Sequence, residues 1–299
     1  MFTNNRKIII PVIAVFLAIL FYIVSKPDSS KFPNEHTAQT AAVQDASKEK
    51  DNSTEIDQQL RENFILNEAG KMDDSESNDW WLNSGGLVSF ENRMMKTIQD
   101  ELDESSKWYQ DYRRNNPRDT DNGKHPQNIF RLVNRNKFRD LEQETYFRII
   151  RDNLSQSRYR NQSNGLLHFN RYRDGDNLYY TGIRVDGFAV IKKKIKGKYY
   201  TMAYNRIFDG KYNRIKNPNL LLENTWLGLK SEVKNETDGS VSIKVFLDKN
   251  RSGNWELVAK ARDNGKKYGG KAFLNEGYAG IRTDFMDVEF DDYKIEEMN

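Results

Sequence analysis

The side chains best able to do chemistry sit in the middle of the chain. Along 165–172, His168, Asn170 and Tyr172 fall at alternate positions, and along 178–185 Tyr180 and Arg184 do the same, so within each predicted strand they share a face. The next two segments add Lys192, Lys194, Tyr200 and Tyr204. Tyrosine rings beside cations suit an anionic sugar, because the rings stack on it and a guanidinium grips a carboxylate with two parallel hydrogen bonds. The catalytic candidates are His168, Tyr180 and Arg184, and the binding set adds Asn170, Tyr172 and Lys192. The competing expectation is a sheet face with ordinary polar cover, its lysines guarding an edge.

Two further constellations carry carboxylates. Asp287, Glu289 and Asp291 alternate with Met286, Val288 and Phe290, which predicts a half-buried strand with one solvated acidic face. Neighbouring carboxylates there stand about 7 Å apart, within the range that glycoside hydrolysis uses, although no matched acid is visible. The loops Asp119-Thr-Asp121-Asn-Gly123 and Asp248-Lys-Asn250-Arg-Ser252-Gly253 place oxygen ligands at alternate positions, as hard-cation loops do. Ala259 stands where an EF-hand needs its twelfth-position Glu, so the second reads as a hairpin turn.

The elements that must position these groups read as strands. Segments 145–151, 165–172, 178–185, 188–194, 199–206, 225–233, 241–248 and 255–261 are separated by turns such as Asp186-Gly187, Lys196-Gly197 and Asp238-Gly239, the signature of successive antiparallel hairpins. Before them, 128–133 reads as a strand; 87–90 and 94–98 fit a hairpin, although Met94, Ile98 and Leu102 also fall at helical spacing, and the all-β reading of the rest favours strands with a helical turn within 104–112. No βαβ alternation, heptad run or repeat is present, so the expected class is all-β.

The step Gly277-Tyr-Ala-Gly-Ile-Arg-Thr-Asp284 and the closing strand Val288-Glu-Phe-Asp-Asp-Tyr293 resemble the last strands of concanavalin A-like lectin/glucanase jelly rolls, laminin-G-type domains included. Asn177 to Asp186 and Trp255 to Val258 are similar to inner strands of that superfamily. The resemblance covers about 79–296 and implies an antiparallel two-sheet β-sandwich whose members bind or cut polysaccharides, or bind other glycans and proteins. In its lyases an Arg, Gln or Asn masks the uronate charge while Tyr and His exchange protons; the tight lyase signatures are absent here. It also implies structural calcium, for which Asp119 and Asp121 are the candidates; no other cofactor is required. The expected function is carbohydrate binding, with acidic polysaccharide as ligand; the alternatives are a polysaccharide lyase or glycoside hydrolase, and a cell-surface adhesion or assembly protein.

The totals bound the rest. With 299 residues and 37% hydrophobic content the chain can build one large core. Its formal net charge of +3 is spread along the sequence, so nucleic acid is not an expected partner. With no Cys and three His, disulfides, thiol catalysis and Cys-based zinc sites are excluded and a His-rich metal site is unexpected. Arg6 and Lys7 precede the apolar run 8–24, and no small-residue cleavage site follows it. Residues 1–25 are therefore expected to be a single-pass anchor with the remainder outside the cytoplasm, the alternative being a cleaved signal peptide. A polar linker without ordered structure is expected over 26–78, with the sandwich over 79–297.

Overall fold

The computed structural model describes residues 63–92 and 94–298. The expected anchor at 8–24 and the linker up to residue 62 lie outside the described residues. In chain order the strands begin with β1 (Phe64–Asn67), β2 (Trp80–Ser84), β3 (Leu87–Glu91) and β4 (Met94–Thr97). A helix, α1 (Lys107–Asn115), precedes β5 (Arg131–Phe138), β6 (Leu141–Asp152), β7 (Gly165–Asp174) and β8 (Asn177–Arg184). Then come β9 (Phe188–Ile195), β10 (Lys198–Arg206), β11 (Trp226–Asn235) and β12 (Val241–Lys249), and last β13 (Glu256–Asp263), β14 (Gly277–Thr283) and β15 (Met286–Glu297).

These form an eight-stranded sheet, β1-β3-β4-β15-β6-β11-β12-β13, and a seven-stranded sheet, β10-β9-β8-β7-β14-β5-β2, with every strand pairing antiparallel. The expected all-β sandwich is what the described residues form. Alternation explains it: Leu132, Phe147, Ile183, Ile243, Ile281 and Phe290 are fully buried in one core between the sheets. Among the described residues no helix is long and apolar enough to cross a membrane.

The polar stretch expected to run to residue 78 already holds sheet structure. Phe64–Asn67 pairs with β3, Phe64 stacks on Phe90 with ring centroids 4.0 Å apart, and Leu66 is 1% exposed. Beyond it the Trp81 indole N–H donates to the Ala69 carbonyl at 2.7 Å. Three apolar residues flanked by polar ones suffice here because the partner edge supplies both the hydrogen bonds and the apolar cover that the local sequence lacks. Truncating Leu66 to Ala is therefore expected to cost about 2–5 kcal/mol of folding stability. A denaturation midpoint unchanged by Leu66→Ala would show that β1 does not belong to the cooperative unit.

Candidate functional site

The outward face of the seven-stranded sheet gathers the residues of interest by register. Arg131 on β5 pairs with Arg282 on β14, Arg282 with Leu167 on β7, and Leu167 with Gly182 on β8. One row along, Phe169 pairs with Tyr180 and Tyr180 with Lys192 on β9. Directly paired residues in an antiparallel sheet point the same way, so these two rows build one surface. A side chain at Gly182 would run into the Leu166 carbonyl and the Leu167 side chain, so only glycine lets β7 and β8 approach there.

A cavity of about 490 Å³ opens on these rows, within the range of ligand sites. Arg131, Lys192 and Arg282 supply positive charge, Asp119 and Asp284 negative charge, and Tyr159, Tyr180 and Tyr199 ring faces. Two guanidiniums side by side repel, and the repulsion is relieved for one of them only: Asp284 accepts from Arg282 Nε at 2.9 Å and Nη2 at 2.8 Å. Arg131 and Lys192 have no carboxylate within ion-pair distance among the described residues; Arg131 reaches only the Ser84 hydroxyl, at 3.4 Å. Burial, then the nearby Arg184 charge, lowers the Lys192 pKa.

The tyrosines are tuned apart. Burial pushes Tyr180 up to about 12, and its hydroxyl accepts from Arg282 Nη1 at 3.2 Å. Burial also acts upward on Tyr199, but the charges of Arg282 and Lys194 and a hydrogen bond with Tyr180 outweigh it and leave Tyr199 below its ordinary value. Their ring centroids stand 5.8 Å apart.

The cavity wall comes from the segment 153–164, which contributes Tyr159, Asn161 and Asn164. Two short bonds fasten it: Ser155 Oγ donates to Asp121 and Ser157 Oγ to Asp119, each at 2.6 Å. Arg160 and Arg214 hold the same segment through its carbonyls at 2.7 Å. Asp119 and Asp121, the calcium candidates, thus clasp the wall. The second Asp121 oxygen takes the Asn128 amide at 3.2 Å, and no group of three or more metal-ligating acidic or imidazole side chains occurs among the described residues. Hydroxyl and amide donors thus take three of the four carboxylate oxygens, and two carboxylates alone fall short of the six or more oxygens that calcium takes.

The structure brings Tyr180 and Lys192 together and separates them from the rest of the predicted set. His168 pairs with Thr181 and Asn170 with Tyr179, so both point into the core, each 0% exposed. Tyr172 faces outward instead, because Arg171 takes a left-handed backbone conformation (φ 48°) and the β7–β8 register slips beyond Asn170. Tyr172 packs on Phe169 beside the cavity without lining it. Arg184 lies at the other end of β8, buried, with Nη2 on Asp186 at 2.6 Å and Nε on the Gln162 carbonyl at 3.1 Å. A guanidinium so engaged is not available to a ligand.

The acidic face of β15 is also not the solvated one expected. Asp287 is 1% and Glu289 8% exposed. Asp287 accepts from Gln127 at 2.8 Å, Asn153 at 2.9 Å and the Asp100 backbone N–H at 2.9 Å, while Arg148 grips Glu289. The segments around 100, 127 and 153 cover that face, which gives these carboxylates structural partners and leaves no room for an acid–base pair. Only Asp291 keeps a surface position, bonded to Arg251 at 2.7 Å.

Sequence reading missed Arg131, Arg282, Tyr199 and Tyr159. Arg131 sat in the strand expected over 128–133 and Arg282 in the Gly277 to Asp284 step, but only cross-strand register shows that they adjoin.

No family model matches the sequence, and no curated protein matches it. Among solved structures the chain is similar to a carbohydrate-binding module, CBM66, from Bacillus subtilis, with 14% identity and a TM-score of 0.46, covering 74% of this chain and 98% of that one. It is also similar to a putative glycosyl hydrolase from Parabacteroides distasonis, with 10% identity and a TM-score of 0.40 over 74% of this chain and 89% of that one. The VIP36 exoplasmic/lumenal domain in its calcium- and mannose-bound form matches with 10% identity and a TM-score of 0.41, over 78% of this chain and 89% of that one. At TM-scores under 0.5, nothing about ligand, metal or activity passes from these proteins to this chain.

His168 gives a pH signature of its burial. Desolvation lowers its pKa to about 3, with Nδ1 on Ser231 Oγ at 3.0 Å and Nε2 without a partner. Below the unfolded value, about 6.5, the unfolded chain binds a proton that the folded chain refuses. Its contribution to stability is therefore complete above about pH 6.5 and is lost as pH falls toward about 3, at up to about 1.4 kcal/mol per pH unit. Denaturant titrations of the wild type and His168→Gln across that window should diverge in slope; parallel curves would mean that the imidazole is accessible to protons.

Proposed function

We propose that the protein binds acidic polysaccharide in the cavity on the outward face of the seven-stranded sheet. The observation that carries this reading is the pair of cations, Arg131 and Lys192, held beside Tyr180 and Tyr199 with no carboxylate of their own among the described residues. A partly buried cation without a counterion is unfavourable, and a uronate carboxylate supplies the missing charge while the sugar ring lies on a tyrosine face. Arg282, already neutralised by Asp284, positions the Tyr180 hydroxyl. Anchoring through residues 8–24 outside the cytoplasm belongs to the same proposal, and fractionation that finds the full-length chain soluble would remove it.

The oppositely tuned tyrosines support a second reading, cleavage of the same polymer by elimination. Tyr199, as phenolate, would take the proton from the carbon next to the uronate carboxylate. The electron pair would form the carbon–carbon double bond as the glycosidic C–O bond breaks, and the Tyr180 hydroxyl would protonate the departing oxygen. Absorbance of unsaturated product on uronate polymers separates the two readings.

Calorimetric titration of a uronate polymer and its neutral counterpart tests the binding site. Arg131→Ala and Lys192→Ala are each expected to weaken the acidic ligand by about 1–3 kcal/mol with little effect on the neutral one. Arg184→Ala should behave differently: it leaves buried Asp186 with only the Tyr204 hydroxyl, costs about 3 kcal/mol of stability and changes the affinity of the folded protein far less than Arg131→Ala does. Equal affinity for both polymers, or a loss on Arg184→Ala matching that on Arg131→Ala, would overturn the assignment.

A further inference from the structure

A second cavity, of about 650 Å³, opens between the two sheets at the edge where β1, β3 and β4 face β2 and β5. Its character is opposite to the first. Phe64, Phe90, Met95 and Phe290 form an apolar floor, and Trp80 packs on Tyr293 with ring centroids 5.2 Å apart. Tyr293 reaches this position through a bulge: the β15–β6 register slips between Asp291 and Lys294, and Asp292 takes φ 48°. Bulges of this kind re-aim a side chain beside a site.

The polar lining is acidic. Asp79, Asp291 and Asp292 stand against Lys294, and the bridging partners Arg251 and Glu144 add one charge of each sign, so negative charge stays in excess. The Asp79 carboxylate has no partner among the described residues. Asn134 is 7% exposed, its Oδ1 accepts the Asn136 backbone N–H at 2.9 Å, and its Nδ2 donates to nothing among the described residues although the side chain lines the cavity. The cavity thus offers an indole face, a free carboxylate and a free amide donor. An aromatic face beside a carboxylate selects a cation, and an amide donor selects a hydroxyl or carbonyl oxygen.

We propose that this cleft is a separate binding site for an amino sugar bearing a free ammonium group. The C–H face of the ring lies on Trp80, the ammonium meets Asp79, and a ring hydroxyl accepts from Asn134. The proposal stands independently of the basic cavity, with which it shares no lining residue.

The test is calorimetric titration of the full-length chain with a trisaccharide of glucosamine, the same trisaccharide N-acetylated, and pentylammonium. Saturable binding of the first, at least tenfold weaker binding of the other two, and a tenfold or greater loss on Asp79→Asn or Trp80→Phe are expected. Arg131→Ala should leave this binding unchanged, which keeps a failure here distinct from a failure of the basic cavity. Absence of saturable binding, equal binding of the N-acetylated form, or indifference to Asp79→Asn in a variant that unfolds like the wild type would overturn the site. Equal binding of pentylammonium would overturn the sugar and leave only an ammonium pocket.

Discussion

The sandwich turns on a polar network buried between its sheets. Asn170 is its centre: Gln143 Nε2 and Ser231 Oγ donate to its Oδ1 at 2.8 and 3.2 Å, and its own Nδ2 donates to Thr181 at 2.9 Å. Gln143 also reaches the Phe169 carbonyl at 2.7 Å and accepts from the Tyr293 hydroxyl at 2.9 Å, while His168 joins through Ser231. Strands β6, β11 and β15 of one sheet are thereby tied to β7 and β8 of the other. An apolar core tolerates sliding by one residue pair far better than a network does, since each displaced polar group would be left buried and unsatisfied. This fixes how β7 stands against β8, and hence which residues face outward to the basic cavity.

Departures from regular pairing re-aim one aromatic side chain beside the first cavity and one within the second. The slip at Arg171 sends Tyr172 outward, and the slip on β15 turns Tyr293 against Trp80. Arg171 itself is 0% exposed, bonded to Asp140 at 3.0 Å and Asn235 at 2.7 Å, so the irregularity is anchored by charge-assisted bonds. A second buried pair, Lys193 with Asp263 at 2.8 Å, holds the loop after β13 through the Gly270 and Lys271 carbonyls. Buried pairs of this kind are costly to break singly and so specify one arrangement of the strands around them.

The architecture was legible because alternation and turn chemistry are local: Met286, Val288 and Phe290 face the core as their spacing requires. The site was legible only in part. Tyr180 and Lys192 were found because each strand's parity is readable, but His168 and Tyr180 occupy opposite faces, and that follows from pairing Phe169 with Tyr180, a fact no single strand contains. Tyr172 was misplaced because one left-handed residue reverses parity without leaving a glycine as a mark. Asp287 and Glu289 looked wet because the segments that cover them lie more than a hundred residues away.

The clasp made by Ser155 and Ser157 on Asp121 and Asp119 gives the basic cavity two materials. Its floor is strands paired along their length, whereas its wall is a loop whose place depends on side-chain bonds from Asp119, Asp121 and Arg214. Loss of the two serine hydroxyls would therefore loosen the wall while the floor keeps its charge pattern.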